Sequence, residues 1–308
     1  MTISDERILV TGGAGFVGSH LTERLLADGN DVRVVDNLSN GDADWVPDGA
    51  ELLVGDLTDP EVAAEAITEE VDLVFHLAAD KDASRDEIDQ FRRNNRLTEA
   101  VVERMDEVGV DRIAFTSSST VYGEAPRPTP EDYAPLEPIS IYGSSKLAEE
   151  GLLSAYGHSH GFTVHIFRFA NVVGPRLRGA VVPDFIEKLR ADPDTLEILG
   201  DGRQEKSYLD IEDCLDGLCH AVEHADDPVN IFNLGTRTTT SVDRIADIVA
   251  DEMGVEPERE YTGGRRGWTG DVPKMRLSIE KLSALGWEPT YSSDEAIRRA
   301  TRVLLDSL

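Results

Sequence analysis

The sequence predicts an α/β protein with a Rossmann-type, doubly wound parallel sheet and a smaller, interleaved C-terminal domain. Three observations carry this prediction. Short apolar strands alternate with helix-forming stretches up to about residue 170, as in parallel sheets that helices cover on both faces. A glycine-rich turn at 11–18 joins the first strand to the first helix. Polar or small residues follow the ends of later strands, where such sheets bind ligands.

Length, charge and apolar content limit the class of protein that the sequence can encode. At 308 residues the chain is long enough for one large domain, or for a large and a small one. Sixty acidic and 30 basic residues give a net charge of −30, which repels nucleic acid and anionic membranes. This surface favours a halophilic protein over one with an acidic binding face. No apolar stretch resembles a signal peptide or reaches the roughly 20 residues that span a bilayer, so we expect a cytoplasmic protein.

Cysteines and histidines do not form a metal-binding pattern. Cys214 and Cys219 lie on a predicted helix at a spacing that matches neither CxxC nor a zinc set. His158 and His160 flank a predicted turn, where surface positions are typical. We therefore expect no metal site.

The first strand, at 8–10, leads into the turn TGGAGFVG and then into a helix at 19–27. The turn reads GxGxxG from Gly13 and GxxGxxG from Gly12. Glycines allow the tight turn and the close approach of a pyrophosphate, and the helix N-terminus supplies unpaired N–H groups. The turn therefore predicts a dinucleotide site.

Asp36 ends the second strand, at 32–35, eighteen residues after Gly18. An acidic side chain there can accept hydrogen bonds from both ribose hydroxyls of an adenosine, and its charge would repel a 2′-phosphate. The predicted cofactor is therefore NAD and not NADP.

Three further strands end in polar or small residues. The strand at 51–54 ends in Gly55-Asp56-Leu57, whose aspartate can bind the amino group of adenine. The strand at 71–75 is followed by His76-Leu77-Ala78-Ala79, which lets a backbone approach the cofactor. A helix at 87–108 leads to a strand at 112–115 and the serine-rich run 116–123.

Tyr142 and Lys146 are one turn apart on a helix predicted to begin near Ser140. Free tyrosine has a pKa of about 10, so a general base needs help. A nearby ammonium, together with an oxidised nicotinamide ring, would favour the phenolate. A lone YxxxK pattern is more typical of a tyrosine packed on a lysine stem, but the strand-end signals favour the catalytic interpretation.

After a sixth strand at 163–169, the regular alternation stops near residue 176 and shorter elements follow. A strand at 229–236 would return to the sheet. We predict a NAD-binding domain at 1–172 that includes this strand, and a mainly separate, smaller substrate-binding domain at 173–308.

Eight motifs occur in the order typical of extended short-chain dehydrogenase/reductases, specifically the nucleotide-sugar epimerases and dehydratases. Within that family the chain resembles most the UDP-glucose/UDP-galactose 4-epimerases, archaeal ones included. The motifs are TGGAGFVG (11–18), DNLSNG (36–41), GDL (55–57), HLAA (76–79), SSSTVYG (117–123), YGSSK (142–146), NVVGPR (171–176) and GDGRQ (200–204).

The resemblance implies roles for particular residues. The catalytic residues would be Tyr142, Lys146 and Ser118, with Ser117 and Ser119 open as alternatives to the serine. The cofactor-binding residues would be Gly12, Gly15, Phe16, Val17, Asp36, Asn37, Asp56, Leu57, Leu77, Ala78, Lys81, Asn95, Tyr142 and Lys146. The substrate-binding residues would be Ser118, Tyr142, Asn171, Val182, Pro183, Lys206 and Arg266, with Arg265 open as an alternative to Arg266. A homodimer would form through the helices at 87–108 and 142–156.

Two departures from the family pattern bear on the reaction. Ser119 and Thr120 stand where the dehydratases carry Asp-Glu, which disfavours elimination of water. Lys206 replaces the more usual arginine. A lysine cannot bind a diphosphate through two parallel hydrogen bonds as an arginine can, which weakens the assignment of a nucleotide diphosphate as the substrate.

These features predict a reversible 4-epimerase that acts through a 4-keto sugar. The alternatives are a sugar dehydrogenase with net oxidation, an epimerase for UDP-N-acetylhexosamine or UDP-glucuronate, and a non-catalytic NAD sensor.

Overall fold

The computed structural model describes residues 3–81, 87–268 and 270–307. The chain forms two compact units, and each is assembled from three stretches of sequence. Unit 1 draws on Met1–Ser118, Ile141–Arg168 and Leu218–Phe232. Unit 2 draws on Ser119–Ser140, Phe169–Gly217 and Asn233–Leu308. The division at residue 172 that the sequence suggested stays a prediction.

The described residues form strands and helices in an alternating order up to β6. The strands are β1 (Arg7–Thr11), β2 (Asp31–Asp36), β3 (Glu51–Val54), β4 (Leu73–His76), β5 (Arg112–Ser118), β6 (Thr163–Phe169), β7 (Asn171–Val173), β8 (Thr195–Ile198), β9 (Glu205–Lys206), β10 (Tyr208–Asp210), β11 (Val229–Leu234), β12 (Thr240–Ser241), β13 (Glu258–Tyr261) and β14 (Lys274–Met275). The helices are α1 (Phe16–Ala27), α2 (Pro60–Ala66), α3 (Ile88–Val108), α4 (Ile141–Ser159), α5 (Val181–Ala191), α6 (Ile211–His224), α7 (Val242–Met253), α8 (Glu280–Ser283) and α9 (Ser293–Ser307).

Seven strands form one parallel sheet in the order β11-β6-β5-β4-β1-β2-β3. The order runs outward from β1 to β3 on one side and from β4 to β6 on the other, so the chain reverses direction across the sheet between β1 and β4. The predicted doubly wound parallel sheet is confirmed. In the register of the sheet, Thr11 at the end of β1 pairs with Val35 on one side and with His76 on the other. This switch point is where doubly wound sheets bind ligands.

Apolar side chains from both layers form the core of unit 1. Leu9, Val74 and Ile113 of the sheet are fully buried, together with Met105 of α3 and Leu153 of α4. Each such side chain contributes about 1.5–3 kcal/mol when it is removed from water. The helices α3 and α4 are thereby held against the sheet.

Local sequence sets several helix ends. Asp59 caps α2 by accepting a hydrogen bond from the N–H of Glu61, and Pro60 occupies the first turn. The hydroxyl of Ser241 accepts a hydrogen bond from the N–H of Arg244 at the start of α7. Gly254 ends that helix at φ 69°, a left-handed conformation that glycine adopts without strain.

Unit 2 contains small sheets and helices. The strands β12, β9 and β14 form a three-stranded sheet, whereas β10 pairs with β7 and β13 pairs with β8. The helices α5, α7 and α9 pack against one another. Several of these strands have only two or three residues, too few for a periodic signal in the sequence.

No helix in the described ranges is both long enough and apolar enough to cross a membrane.

Candidate active site

The glycine turn approaches the end of β4 closely. Gly12 has φ 69°, and a Cβ at this position would lie 2.8 Å from the backbone nitrogen of Ala78. A Cβ at Gly18 would lie 2.2 Å from the carbonyl oxygen of Gly12. Gly15 precedes the first turn of α1 and has no side chain to cap it. The N–H groups at the start of this helix can therefore bind a phosphate, which fits a dinucleotide.

Replacing Gly18 with alanine is expected to raise the dissociation constant for NAD at least about ten-fold, because the new Cβ displaces the Gly12 carbonyl and opens the turn. Calorimetry on protein stripped of cofactor measures this change. Gly151→Ala is the matched control, because a Cβ built there on α4 meets no described atom within 4 Å other than its chain neighbours and the nearby backbone of the same helix. Equal NAD affinity in the two variants would contradict the role of the turn.

Asp36 is held at the end of β2 by two backbone groups. One carboxylate oxygen accepts a hydrogen bond from the N–H of Ala14 at 3.0 Å, and the other accepts from Leu38 at 2.8 Å. The carboxylate thus lies against the glycine turn, as the NAD prediction requires.

The side chains of Asp56 and Asn37 are joined by a hydrogen bond. Burial acts to raise the pKa of Asp56, but hydrogen bonds from Thr58 and Asn37 and the charge of Arg93 together bring the pKa below its usual value. Asp56 is therefore a carboxylate acceptor at neutral pH. Its neighbour Leu57 is buried.

Thr11 links the ends of β1 and β4. Its hydroxyl oxygen accepts hydrogen bonds from the N–H groups of Leu77 at 3.2 Å and Ala78 at 3.1 Å. The same oxygen lies 2.8 Å from Nδ1 of His76. Sequence reasoning did not select Thr11 or His76 as site residues, although a buried polar residue at the end of an apolar strand is a usable signal.

Lys146 is almost fully buried beside Tyr142 on α4. Its Nζ lies 6.0 Å from the centre of the Tyr142 ring, 4.4 Å from the centre of the Phe115 ring and 3.1 Å from Oε2 of Glu149. Burial raises the pKa of Tyr142; the ammonium of Lys146 acts to lower it, and the carboxylate of Glu149 adds to the rise. Lys146 thus acts in the predicted direction but is outweighed, and the pKa of Tyr142 lies above its ordinary value.

The serine run divides between packing and the candidate site. Ser117 is buried and donates a hydrogen bond to Oε1 of Glu150 at 2.5 Å. Ser119 begins a 3₁₀ turn that belongs to unit 2. Ser118 is the last residue of β5 and is half-buried, and successive side chains on a strand point to opposite faces. Ser117 thus has a packing partner, and the assignment of Ser118 as the catalytic serine stays a prediction.

Asn94, and not Asn95, lies against the end of β4 and the start of α4. Its Oδ1 accepts a hydrogen bond from the N–H of Asp80 at 2.8 Å, and its Nδ2 lies 3.1 Å from the hydroxyl of Ser145. The amide of Asn95 instead donates to the carbonyl of Phe91 in its own helix. The assignment of Asn95 to the cofactor site stays a prediction, and these contacts make its neighbour Asn94 a second candidate. Lys81 is exposed.

The predicted substrate-binding residues other than Ser118 and Tyr142 lie in unit 2. Nζ of Lys206 lies 2.5 Å from the buried Oδ1 of Asp271 and 4.9 Å from the centre of the Trp268 ring. The side chain of Asn171 hydrogen-bonds the hydroxyl of Tyr208, whose pKa burial raises. Lys206 thus has a carboxylate partner, a feature that the sequence did not reveal.

The remaining residues of this set lie elsewhere in unit 2. Val182 and Pro183 are buried in the first turn of α5. Arg266 donates a hydrogen bond to Glu124, and Arg265 lies 3.5 Å from the other oxygen of the same carboxylate.

No set of three or more histidine, cysteine, aspartate or glutamate side chains among the described residues is arranged to hold a metal ion. Cys214 and Cys219 are both buried.

A doubly wound sheet with a dinucleotide turn, followed by a helix that carries Tyr142 and Lys146, defines the class of NAD-dependent short-chain dehydrogenase/reductase enzymes. The chain belongs to the NAD-dependent epimerase/dehydratase family, whose family model matches residues 8–235. The family prediction is confirmed, and NAD is the cofactor.

Known relatives are similar over nearly the whole chain. A UDP-glucose 4-epimerase of Mycolicibacterium smegmatis is 33% identical over 308 residues, which cover 95% of this chain and 96% of the relative. A solved UDP-galactose 4-epimerase is 42% identical with a TM-score of 0.90, covering 98% of this chain and 99% of its own. The UDP-glucose 4-epimerase of Thermus thermophilus, solved with NAD, is 33% identical with a TM-score of 0.89. The match covers 98% of this chain and 100% of that one. The chain is therefore an enzyme of the isomerase class.

Proposed function

We propose that the protein is a UDP-glucose 4-epimerase that interconverts UDP-glucose and UDP-galactose. The observation that carries this proposal is the placement of Tyr142 beside Lys146 on α4, with Ser119 and Thr120 and no carboxylate after Ser118. A tyrosine can move one proton at a sugar hydroxyl. Without an acid and a base next to the serine, the site lacks the groups that eliminate water. The relatives named as 4-epimerases support this choice.

In the proposed mechanism, Tyr142 removes the proton from the 4-hydroxyl of the sugar as a general base. Bound NAD supplies a reversible hydride acceptor for C4 of the sugar. Ser118 would donate a hydrogen bond to the same sugar oxygen, and Lys146 would hold the phenolate and the nicotinamide ribose. The resulting 4-keto sugar turns about its diphosphate link, and Tyr142 returns the proton after the opposite face of C4 is reduced. The overall reaction is redox-neutral.

Burial keeps Tyr142 protonated when Lys146 is the only cation nearby. The positive charge of an oxidised nicotinamide ring would favour the phenolate. We infer that the base becomes active only with oxidised cofactor in place, which couples proton removal to the presence of a hydride acceptor.

In unit 2 we propose that Asn171, Lys206 and Arg266 contact the diphosphate and uridine, with Val182 and Pro183 shaping the surface beside them. Lys206 is paired with Asp271, so it offers a phosphate less net positive charge than an unpaired cation would. Recognition of the diphosphate therefore depends more on directed hydrogen bonds, such as those of Asn171.

The proposal is tested by incubating the purified protein with UDP-glucose without added cofactor. Proton NMR is expected to show UDP-galactose at equilibrium with UDP-glucose, with no accumulation of NADH in the near-ultraviolet spectrum. Accumulation of NADH in step with product would instead indicate a sugar dehydrogenase. A protein that retains NAD but converts no sugar would support the sensor alternative.

A substrate panel tests the identity of the sugar. A solved relative, MoeE5 in complex with UDP-glucuronic acid and NAD, is 29% identical with a TM-score of 0.85. UDP-glucuronate and UDP-N-acetylglucosamine therefore belong in the panel. We expect the highest kcat/KM for UDP-glucose or UDP-galactose, and a higher value for either of the other two would reassign the substrate.

Asp36→Asn is expected to lower the preference for NAD over NADP at least about ten-fold, because the variant no longer repels a 2′-phosphate. Dissociation constants for both cofactors, measured by calorimetry, check this ratio. Asp31→Asn is a suitable control, since Asp31 is an exposed residue at the other end of β2. An unchanged ratio for Asp36→Asn would remove Asp36 from the cofactor site.

We also propose a homodimer that pairs α3 and α4 with the same helices of a second copy. Light scattering coupled to size-exclusion chromatography at high salt tests this assembly, and a monomeric mass would contradict it.

A further inference from the structure

Buried polar side chains form a continuous row through unit 1, from Lys146 to the end of β4. Nζ of Lys146 lies 3.1 Å from Oε2 of Glu149, and the same oxygen lies 3.1 Å from the hydroxyl of Thr98. The Thr98 hydroxyl lies 3.0 Å from Nε2 of His76, whose Nδ1 lies 2.8 Å from the hydroxyl of Thr11. All five side chains are at most 1% exposed.

The hydrogen bonds of this row all donate in one direction, from the backbone at Leu77 and Ala78 toward Glu149. The oxygen of Thr11 accepts the N–H groups of Leu77 and Ala78, so its own hydrogen is donated to Nδ1 of His76. A neutral histidine that accepts at Nδ1 carries its proton on Nε2, which donates to Thr98. Thr98 in turn donates to Glu149, a carboxylate that can only accept.

His76 is neutral, as this direction requires. Burial and the charge of Lys146 lower the pKa of His76 to about 3. The row therefore begins at two backbone N–H groups and ends at the carboxylate of Glu149, with every link polarised in the same sense.

Glu149 is an unusual residue at this buried end. Its Oε2 receives both Thr98 and Lys146, whereas its Oε1 is buried and has no hydrogen-bond partner among the described residues. A buried carboxylate oxygen without a hydrogen bond lowers stability. The presence of Glu149 at this position therefore needs a reason other than stability. Neither the proposed proton transfer nor the predicted cofactor contacts use Glu149.

We infer that Glu149 is a positioning residue: it fixes the ammonium of Lys146 and, through Thr98, His76 and Thr11, ties it to the backbone at Leu77 and Ala78 that is predicted to line the cofactor. The expected effects on kcat rest on the proposed function, whereas the expected effects on NAD affinity do not. It predicts that the placement of Lys146 and the order of the cofactor loop depend on the same row of hydrogen bonds.

The row also sets the charge near Tyr142. The charged groups that act on Tyr142 are Lys146 and Glu149, both on α4. Facing the row are neutral His76 on β4, uncharged Phe115 on β5 and uncharged Thr98 on α3. Since the Glu149 carboxylate disfavours the phenolate, its removal moves the activity that requires phenolate to lower pH.

Two variants separate the charge from the hydrogen-bond row. Glu149→Gln keeps the shape and removes the charge; we expect kcat at pH 6 relative to pH 8 to rise about three-fold or more, while kcat at pH 8 falls. Thr98→Val keeps the charge and breaks the row; we expect NAD to bind about five- to ten-fold more weakly, the size of one buried hydrogen bond, with the pH profile unmoved.

Controls keep the test decisive. Thr98→Ser retains the hydroxyl and is expected to restore the NAD affinity of the wild type. Glu65→Gln removes one exposed charge from α2 and is expected to leave both the affinity and the pH profile unchanged. Circular dichroism and thermal melting establish that each variant is folded, and Thr98→Ser carries the comparison with the wild type if Thr98→Val fails to fold.

The outcomes separate this inference from the proposed function. Wild-type protein that binds NAD but does not interconvert the sugars would overturn the function, while the NAD affinities would still test the row. Active wild-type protein with an unmoved pH profile in Glu149→Gln, or wild-type NAD affinity in Thr98→Val, would overturn the inference. Loss of NAD affinity in Thr98→Ser would also overturn it, because the hydroxyl would then not be the group that matters.

Discussion

Tyr142→Phe is expected to lower kcat by about 10³-fold, at the strong end of the range for loss of a general acid–base group. Only the phenolic oxygen is removed, so the ring keeps its place one turn from Lys146 on α4, with Nζ of Lys146 6.0 Å from the ring centre. NAD affinity is expected to stay within about three-fold of the wild type, since the proton-transfer oxygen contributes mainly in the transition state. Conversion of UDP-glucose followed by NMR, together with calorimetry for NAD, measures both quantities.

Tyr156→Phe is the control for this prediction. Tyr156 lies on the same helix, stacks on His160 at 4.4 Å between ring centres and is half-buried. Its variant is expected to keep kcat within about two-fold, because the change removes one hydroxyl and keeps the ring that packs on Phe162. If Tyr142→Phe retained more than a tenth of the wild-type kcat, another group would have to be the base.

Glu150→Ala is expected to produce the largest loss of stability, about 3–5 kcal/mol in the free energy of unfolding. Glu150 on α4 accepts hydrogen bonds from Arg168 on β6 at 2.7, 3.0 and 3.3 Å, and it also accepts one from Ser117. The side chains of Arg168 and Glu150 are 3% and 5% exposed. Removing the carboxylate takes these charge-assisted hydrogen bonds away from a buried guanidinium. Urea unfolding followed by circular dichroism measures the loss.

A double variant distinguishes the buried charge from the lost packing. Glu150→Leu combined with Arg168→Met replaces the pair by apolar side chains and is expected to recover most of the stability, because no charge is left buried. Asp28→Ala breaks an exposed pair with Arg24 and is expected to change stability by less than about 1 kcal/mol. A loss of similar size in Glu150→Ala and Asp28→Ala would show that the buried pair contributes no more than a surface one.

The patterns that the sequence determined by itself are local ones. A glycine turn between a strand and a helix, an acidic residue at a strand end and a tyrosine one turn from a lysine depend on backbone geometry within a few residues. These features contributed to predicting the parallel sheet and the cofactor, and the order of the eight motifs predicted the family. The strand order, the family match and the relatives confirm these predictions.

Tertiary structure decided which of two neighbouring side chains makes a given contact. One position along a helix turns a side chain by about 100°, so the packing of α3 brings Asn94, and not Asn95, to Ser145 on α4. Consecutive side chains on a strand point to opposite faces of the sheet. Ser117 is the serine that faces α4, where it donates a hydrogen bond to Glu150. The sequence alone showed that Lys146 lies beside Tyr142, because the two residues are one helical turn apart. Its carboxylate partner Glu149, and the link through Thr98 to His76, arise only because α4, α3 and β4 pack together across long stretches of chain. Hydrogen bonds of this kind join residues that are distant in sequence, and no periodic pattern records them.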